Sequence, residues 1–142
     1  MPVLYTAVAT STGEGRRGGR AVSDDGVLDL TLAVPTALGG AGGGTNPEQL
    51  FAAGWSSCFH SALKSVAAAD KTPLTGSQVV ARIALASTDD NGYGLEAQLD
   101  ITIPGLDQAT AESLVARAHQ VCPYSVATRG NIPVTLTTTT TA

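Results

Sequence analysis

The 142-residue sequence predicts an α+β fold. Three observations carry that expectation: strand-like segments open the chain, a long apolar helical run sits mid-chain, and an alternating hairpin follows, then a helix and a strand. Residues 3–10 and 27–34 read as strands, with Ser23-Asp24-Asp25-Gly26 as the turn that feeds the second. The stretch Gly39-Gly-Ala-Gly-Gly-Gly-Thr45 is too glycine-dense for a regular element. It predicts a loop with unusual backbone angles or a close approach to another segment.

A long helix comes next. Asn46 caps it, Pro47 suits the first helical position and Gln49 stands where a capping-box side chain would reach back. Phe51, Trp55, Phe59, Ala62, Leu63 and Val66 recur at helical spacing, while Ala52, Ala53 and Gly54 leave little polar surface. A central, mostly buried helix ending near Asp70 is expected. Residues 78–88 and 93–103 read as a hairpin, because Tyr93, Leu95, Ala97, Leu99, Ile101 and Ile103 alternate with polar residues and Asn91-Gly92 supplies turn chemistry. Asp107 caps a second helix with the stripe Ala111, Leu114, Val115, Ala118 and Cys122, which Pro123 breaks. Residues 132–138 form a last strand, and the whole chain, 1–142, reads as one domain.

Composition narrows the function. Charged residues make up 14% of the chain, thin enough to predict that a partner covers part of the surface. Twelve acidic residues against eight basic ones, with no basic cluster beyond Arg16-Arg17, argue against nucleic acid. The N-terminus lacks a signal-peptide pattern, and no segment is long enough to span or insert into a membrane, so a cytoplasmic protein with reduced thiols is expected. The glycine-rich loop is not a phosphate cradle, since no Gly-Lys-Ser/Thr follows and Glu48 would repel phosphate.

The two cysteines, Cys58 and Cys122, hold the remaining question. As buried thiols they could act simply as small hydrophobes. Zinc ligation by Cys58, His60, His119 and Cys122 is disfavoured, because helical residues two apart point about 200° from each other. The same geometry excludes a Cys58–His60 nucleophile and base, leaving His60 as a packing or interface residue. Burial raises a thiol pKa unless a cation compensates. Cys122 lies at the unfavourable carbonyl end of its helix, so if one cysteine attacks and the other resolves, Cys58 is the attacker.

The stretches Gly39-Gly-Ala-Gly-Gly-Gly-Thr-Asn-Pro-Glu-Gln-Leu-Phe-Ala-Ala-Gly-Trp-Ser-Ser-Cys-Phe59 and Val121-Cys-Pro-Tyr-Ser-Val-Ala-Thr-Arg-Gly-Asn131 carry a close resemblance to the Ohr proteins, the organic hydroperoxide resistance proteins of the OsmC/Ohr superfamily. Val3-Leu-Tyr-Thr-Ala7 and Asp25-Gly-Val-Leu-Asp29 extend it over essentially the whole chain. It implies an OsmC/Ohr-like fold of antiparallel sheets with a long central helix and a second core helix, in an intertwined homodimer. It also implies a thiol-dependent peroxidase that reduces organic hydroperoxides to alcohols. Electrons return through a dihydrolipoyl group on a lipoylated protein, and no bound cofactor, metal or haem is implied.

Carried over by position, Cys58 resembles the peroxidatic and Cys122 the resolving cysteine. Glu48 resembles the acidic partner of a thiolate-activating arginine in Gly13-Glu-Gly-Arg-Arg-Gly-Gly-Arg-Ala21. Counting back from Val27-Leu-Asp points to Arg17, ahead of Arg16 and then Arg20. Phe51, Trp55 and Phe59 are the expected apolar contacts of the substrate. Trp55 stands where the family often has tyrosine, and His60 where it often has an aliphatic residue. The alternatives are an OsmC-branch peroxidase with another substrate preference and a non-enzymatic zinc or thiol-binding module.

Overall fold

A computed structural model describes residues 1–141, so the last position of the expected 1–142 domain lies outside the described residues. The chain forms two compact units, divided between Leu50 and Phe51. The first holds a three-stranded antiparallel sheet of β1 (Ala9–Thr12), β2 (Arg20–Ser23) and β3 (Asp29–Thr31), in that order. The expected strand over 3–10 therefore starts late. Pairing needs a neighbour, and it begins where the Val8 carbonyl accepts from the Asp24 N–H at 3.0 Å; residues 1–8 are exposed and outside regular structure. The strand expected over 27–34 shrinks because the Asp25 carboxylate and Ser23 hydroxyl accept from the N–H groups of Val27 and Leu28 in a turn.

The glycine-rich loop behaves as its composition demands. Gly39, Gly42 and Gly43 have φ of 86°, 69° and 85°. At Gly40 an added Cβ would lie 2.1 Å from the Val34 carbonyl oxygen. This loop folds Thr45 back beside Thr31 and Ala33, with bonds of 2.9 and 3.0 Å, and so delivers the chain to the start of the long helix α1 (Pro47–Ala69).

Asn46 caps α1, its Oδ1 accepting from the Gln49 N–H at 2.9 Å. The capping box does not close. The Gln49 side chain instead accepts from the Thr45 hydroxyl at 2.8 Å. Beyond Leu50 the helix buries Trp55, Phe59, Leu63 and Ala67, a stripe at four-residue spacing. Ala53, Ser57, Ser61, Lys64, Ser65 and Ala68 are exposed, so the helix is core-facing along one side rather than buried all round.

In the second unit that stripe packs with Ala97, Leu99, Ile101 and Ile103 and with Ala111, Leu114, Val115 and Ala118. Each large side chain among them contributes about 1.5–3 kcal/mol of burial. The hairpin is as expected: β4 (Gln78–Ser87) pairs antiparallel with β5 (Tyr93–Thr102), and Asn91 takes φ 65° in the turn. Helix α2 (Gln108–Val121) starts on the Asp107 carboxylate, which accepts from the Thr110 N–H at 3.0 Å. Pro123 ends α2 but also opens a short helix, α3 (Pro123–Thr128), that the break at Pro123 concealed. Proline suits the first helical position because no partner is needed for its nitrogen. The chain ends in β6 (Val134–Thr139), which pairs with β5 in parallel, so this sheet is mixed rather than antiparallel. The crossover through α2 and α3 makes a parallel return possible.

Candidate functional site

Helix α1 presents Cys58 one position before the buried Phe59, on the flank of its core stripe, where the thiol keeps partial access. Cys122 occupies the junction of α2 and α3. Its N–H closes α2 onto the Ala118 carbonyl at 2.8 Å, and its extended backbone (φ −63°, ψ 121°) redirects the chain into α3. The side chain is wholly buried. The two sulfurs lie 3.6 Å apart as free thiols, the Cys122 S–H directed at the Cys58 sulfur. A disulfide needs about 2.05 Å, so a movement of roughly 1.5 Å joins them.

Burial pushes the Cys58 thiol above its ordinary value. The Tyr124 backbone N–H acts the other way by favouring the thiolate, while the Cys122 thiol adds to the rise. A reactive thiolate at neutral pH therefore calls for positive charge. Tyr124, one residue past Pro123, was not singled out from the sequence. A proline in the first helical position directly after a cysteine was the signal, since it marks a helix start whose second residue has a free N–H.

In the first unit, a 3-10 turn over Gly15–Arg17 carries the arginines. Arg16 meets Glu48 in a fork, Nη2 to Oε1 at 2.9 Å and Nη1 to Oε2 at 3.1 Å. The expected partner, Arg17, is thereby replaced by Arg16; among the described residues Arg17 forms no hydrogen bond with Glu48. Two adjacent residues of a tight turn point in different directions, and counting along the sequence does not resolve them. Arg20 is engaged elsewhere, by the Asp29 carboxylate at 2.7 and 2.5 Å. The Arg16 hydrogen bonds hold the Glu48 carboxyl below its usual range against the opposing effect of burial.

The aromatic residues divide. Trp55 and Phe59 have no exposed surface, and of the three expected substrate contacts only Phe51 is partly open. Phe51 stands edge-on to Trp55 at 5.7 Å and to Tyr124 at 5.9 Å. Gly54 makes room for the Tyr124 ring, since a Cβ there would be 2.7 Å from its hydroxyl. The Trp55 indole N–H donates to the buried Ser125 hydroxyl at 3.2 Å.

The two histidines do not join the thiols in a metal set. His60 Nε2 lies 2.9 Å from the Ser77 hydroxyl and His119 packs against Phe59. Among the described residues no three His, Cys, Asp or Glu side chains are grouped to hold a metal, and no helix is long and apolar enough to cross a membrane.

The family model described as OsmC-like protein matches residues 40–137, a span that includes Glu48 and both cysteines. An organic hydroperoxide resistance protein of Xanthomonas axonopodis pv. citri is 56% identical over 136 residues, covering 95% of this chain and 94% of that protein. The crystal structure of an organic hydroperoxide resistance protein from Elizabethkingia anophelis superposes with a TM-score of 0.93 at 46% identity, covering 99% of each chain. The organic hydroperoxide resistance protein OhrB of Bacillus subtilis follows at 0.87 and 42%, covering 96% of this chain and 99% of that one. With its fold and nearly its full length shared with these proteins, the chain belongs to the OsmC/Ohr family of organic hydroperoxide resistance proteins.

Proposed function

We propose that the protein is a thiol-dependent peroxidase that reduces organic hydroperoxides to alcohols. The observation that carries this reading is the pair of reduced sulfurs 3.6 Å apart, one with solvent access and one without. Cys58 thiolate attacks the distal oxygen of the hydroperoxide, the O–O bond breaks, and the departing alkoxide takes a proton to leave as alcohol. Cys58 becomes a sulfenic acid. The Cys122 thiol then displaces water from it to form the disulfide, ahead of over-oxidation. A dihydrolipoyl dithiol on a lipoylated protein reduces that disulfide and is itself oxidised to the cyclic disulfide.

In this reading the guanidinium held by Glu48 supplies the positive charge that the Cys58 thiol lacks and stabilises charge developing on the peroxide. The bidentate Arg16–Glu48 fork supports the assignment to Arg16. Phe51 and the Tyr124 ring offer apolar contact to an alkyl or aryl tail, which favours organic hydroperoxides over hydrogen peroxide. No resident cofactor is needed, and the cytoplasm suits a site that must be kept reduced. The exposed apolar residues Val3, Leu4, Tyr5, Val27 and Leu28 of the first unit support a homodimer.

Steady-state turnover of cumene hydroperoxide with dihydrolipoamide, compared with dithiothreitol, glutathione and thioredoxin, tests the reading. Dihydrolipoamide is expected to be the best donor and hydrogen peroxide a poorer substrate than cumene hydroperoxide. Equal turnover of the two peroxides removes the organic preference, and absence of turnover with every donor removes the peroxidase.

A further inference from the structure

Two links join the same pair of helical segments in the second unit. One is the sulfur pair Cys58 and Cys122; the other is the Trp55 indole N–H donating to the Ser125 hydroxyl at 3.2 Å. Trp55 precedes Cys58 by three residues on α1, and Ser125 follows Cys122 by three on α3. Each hydrogen-bonding partner is therefore about one helical turn from its cysteine. The sequence separations, 64 for the sulfurs and 70 for the hydrogen bond, are those of two rungs between segments crossing in opposite directions.

Trp55 and Ser125 are both fully buried, so no water competes for this bond. A buried indole N–H without a partner is costly, which holds the rung closed. Ser125 is further fixed through its own carbonyl, which accepts from the Arg129 N–H at 2.9 Å and the Thr128 hydroxyl at 3.2 Å. Phe51 stands edge-on to the indole at 5.7 Å. The second rung is thus rigid at both ends, while the first must shorten by about 1.5 Å whenever a disulfide forms.

We propose that the Trp55–Ser125 hydrogen bond is a positioning element that sets the effective concentration of the Cys58 and Cys122 thiols for each other, and so the ease with which this pair forms its disulfide. The inference builds on the redox reading of the two cysteines but not on the identity of any peroxide. Removing the Ser125 hydroxyl loosens the crossing next to the sulfurs, makes the disulfide less favourable and raises its reduction potential. Because Trp55 is the single tryptophan of the chain, its fluorescence reports on the same rung.

The test equilibrates the full-length protein with mixtures of reduced and oxidised dithiothreitol. Each protein disulfide formed is balanced by one dithiothreitol disulfide reduced, and the fraction oxidised is read by mass after acid quenching and alkylation. Ser125→Ala is expected to lower the equilibrium constant for disulfide formation about five- to tenfold, equivalent to about 20–30 mV. Trp55→Phe is expected to do the same, and Ser125→Ala added to Trp55→Phe to change it by less than about twofold further. Thr110→Val is the control, since its hydroxyl bonds the Asp107 carboxylate, at 2.7 Å, at the opposite end of α2 from Cys122. It removes a hydroxyl from the second unit away from the crossing and is expected to leave the equilibrium within about twofold.

A Ser125→Ala constant within twofold of the unaltered protein overturns the inference, as does an equal shift in Thr110→Val. Should Ser125→Ala fail to fold, the Trp55→Phe comparison decides by the same thresholds. A protein that forms no Cys58–Cys122 disulfide in any mixture sinks the redox reading and this inference with it, whereas a normal disulfide left unmoved by Ser125→Ala sinks this inference alone.

Discussion

Replacing Arg16 and Arg17 in turn by lysine separates two neighbours of equal charge. Arg16 grips Glu48 through two nitrogens, at 2.9 and 3.1 Å, and a lysine keeps the charge while losing the fork. A hydrogen bond between charged groups is worth about 1.5–3 kcal/mol when shielded. The Arg16 side chain is 42% exposed and that of Glu48 16%, so solvent screening brings the loss of one such bond to about 1 kcal/mol of stability. The catalytic cost is expected to be larger. If the guanidinium stabilises the charge that develops on the peroxide, as proposed, its loss lowers kcat/KM by about 10²–10³. Arg17→Lys is expected to stay within about twofold. The assay is stopped-flow consumption of cumene hydroperoxide by the reduced protein, with Cys58 ionisation followed by thiolate absorbance. Arg16→Lys should raise the Cys58 pKa and slow the reaction together. A Arg17→Lys loss equal to or greater than that of Arg16→Lys refutes the assignment, and an unchanged Cys58 ionisation in Arg16→Lys refutes the proposed electrostatic role.

Cys58→Ser is expected to abolish turnover, while Cys122→Ser should consume about one equivalent of hydroperoxide per site and stop at the sulfenic acid, which a dimedone adduct of the expected mass identifies. The Glu48 carboxyl, lowered chiefly by the Arg16 hydrogen bonds, contributes stability in full above the unfolded carboxylate value of about 4.3, and this is lost as pH falls through its lower folded value. The stability difference between the protein and Glu48→Gln, from urea melts, should therefore be flat from about pH 5 to 8 and shrink only in stronger acid. Phe59→Ala removes a ring with no exposed surface and should cost about 3–5 kcal/mol in the same melts. Gly40→Ala sets a Cβ 2.1 Å from the Val34 carbonyl oxygen and 2.5 Å from the Val34 Cβ, so the backbone must shift at a cost of about 1–3 kcal/mol.

Features written in local chemistry were readable before any coordinates. The β4–β5 hairpin followed from alternation and Asn91-Gly92, the α1 and α2 starts from Asn46 and Asp107, and the tight glycine loop from composition. What failed depended on contacts between distant segments. Strand β2 is only four residues long, and its identity lies in its pairing with β1 and β3. The choice between Arg16 and Arg17 is made by a three-residue turn, and the parallel course of β6 by a crossover. Tyr124 acts on Cys58 through its backbone N–H, a group every residue but proline shares, so side-chain identity could not reveal it.

The parallel seat of the last strand has a consequence for biosynthesis. Strand β5 lies between β4 and β6, and its Ala97, Leu99 and Ile101 pair with Val134, Leu136 and Thr138 at the far end of the chain. A growing polypeptide can zip the hairpin as soon as residue 102 leaves the ribosome. It must then carry the other side of β5 with its backbone groups unpaired until the final residues emerge. At translation speeds of about 5–20 residues per second that interval lasts seconds. Such an open edge is a template for intermolecular strand addition, so nonsense truncation just before Val134 turns a folding intermediate into an aggregation-prone end product.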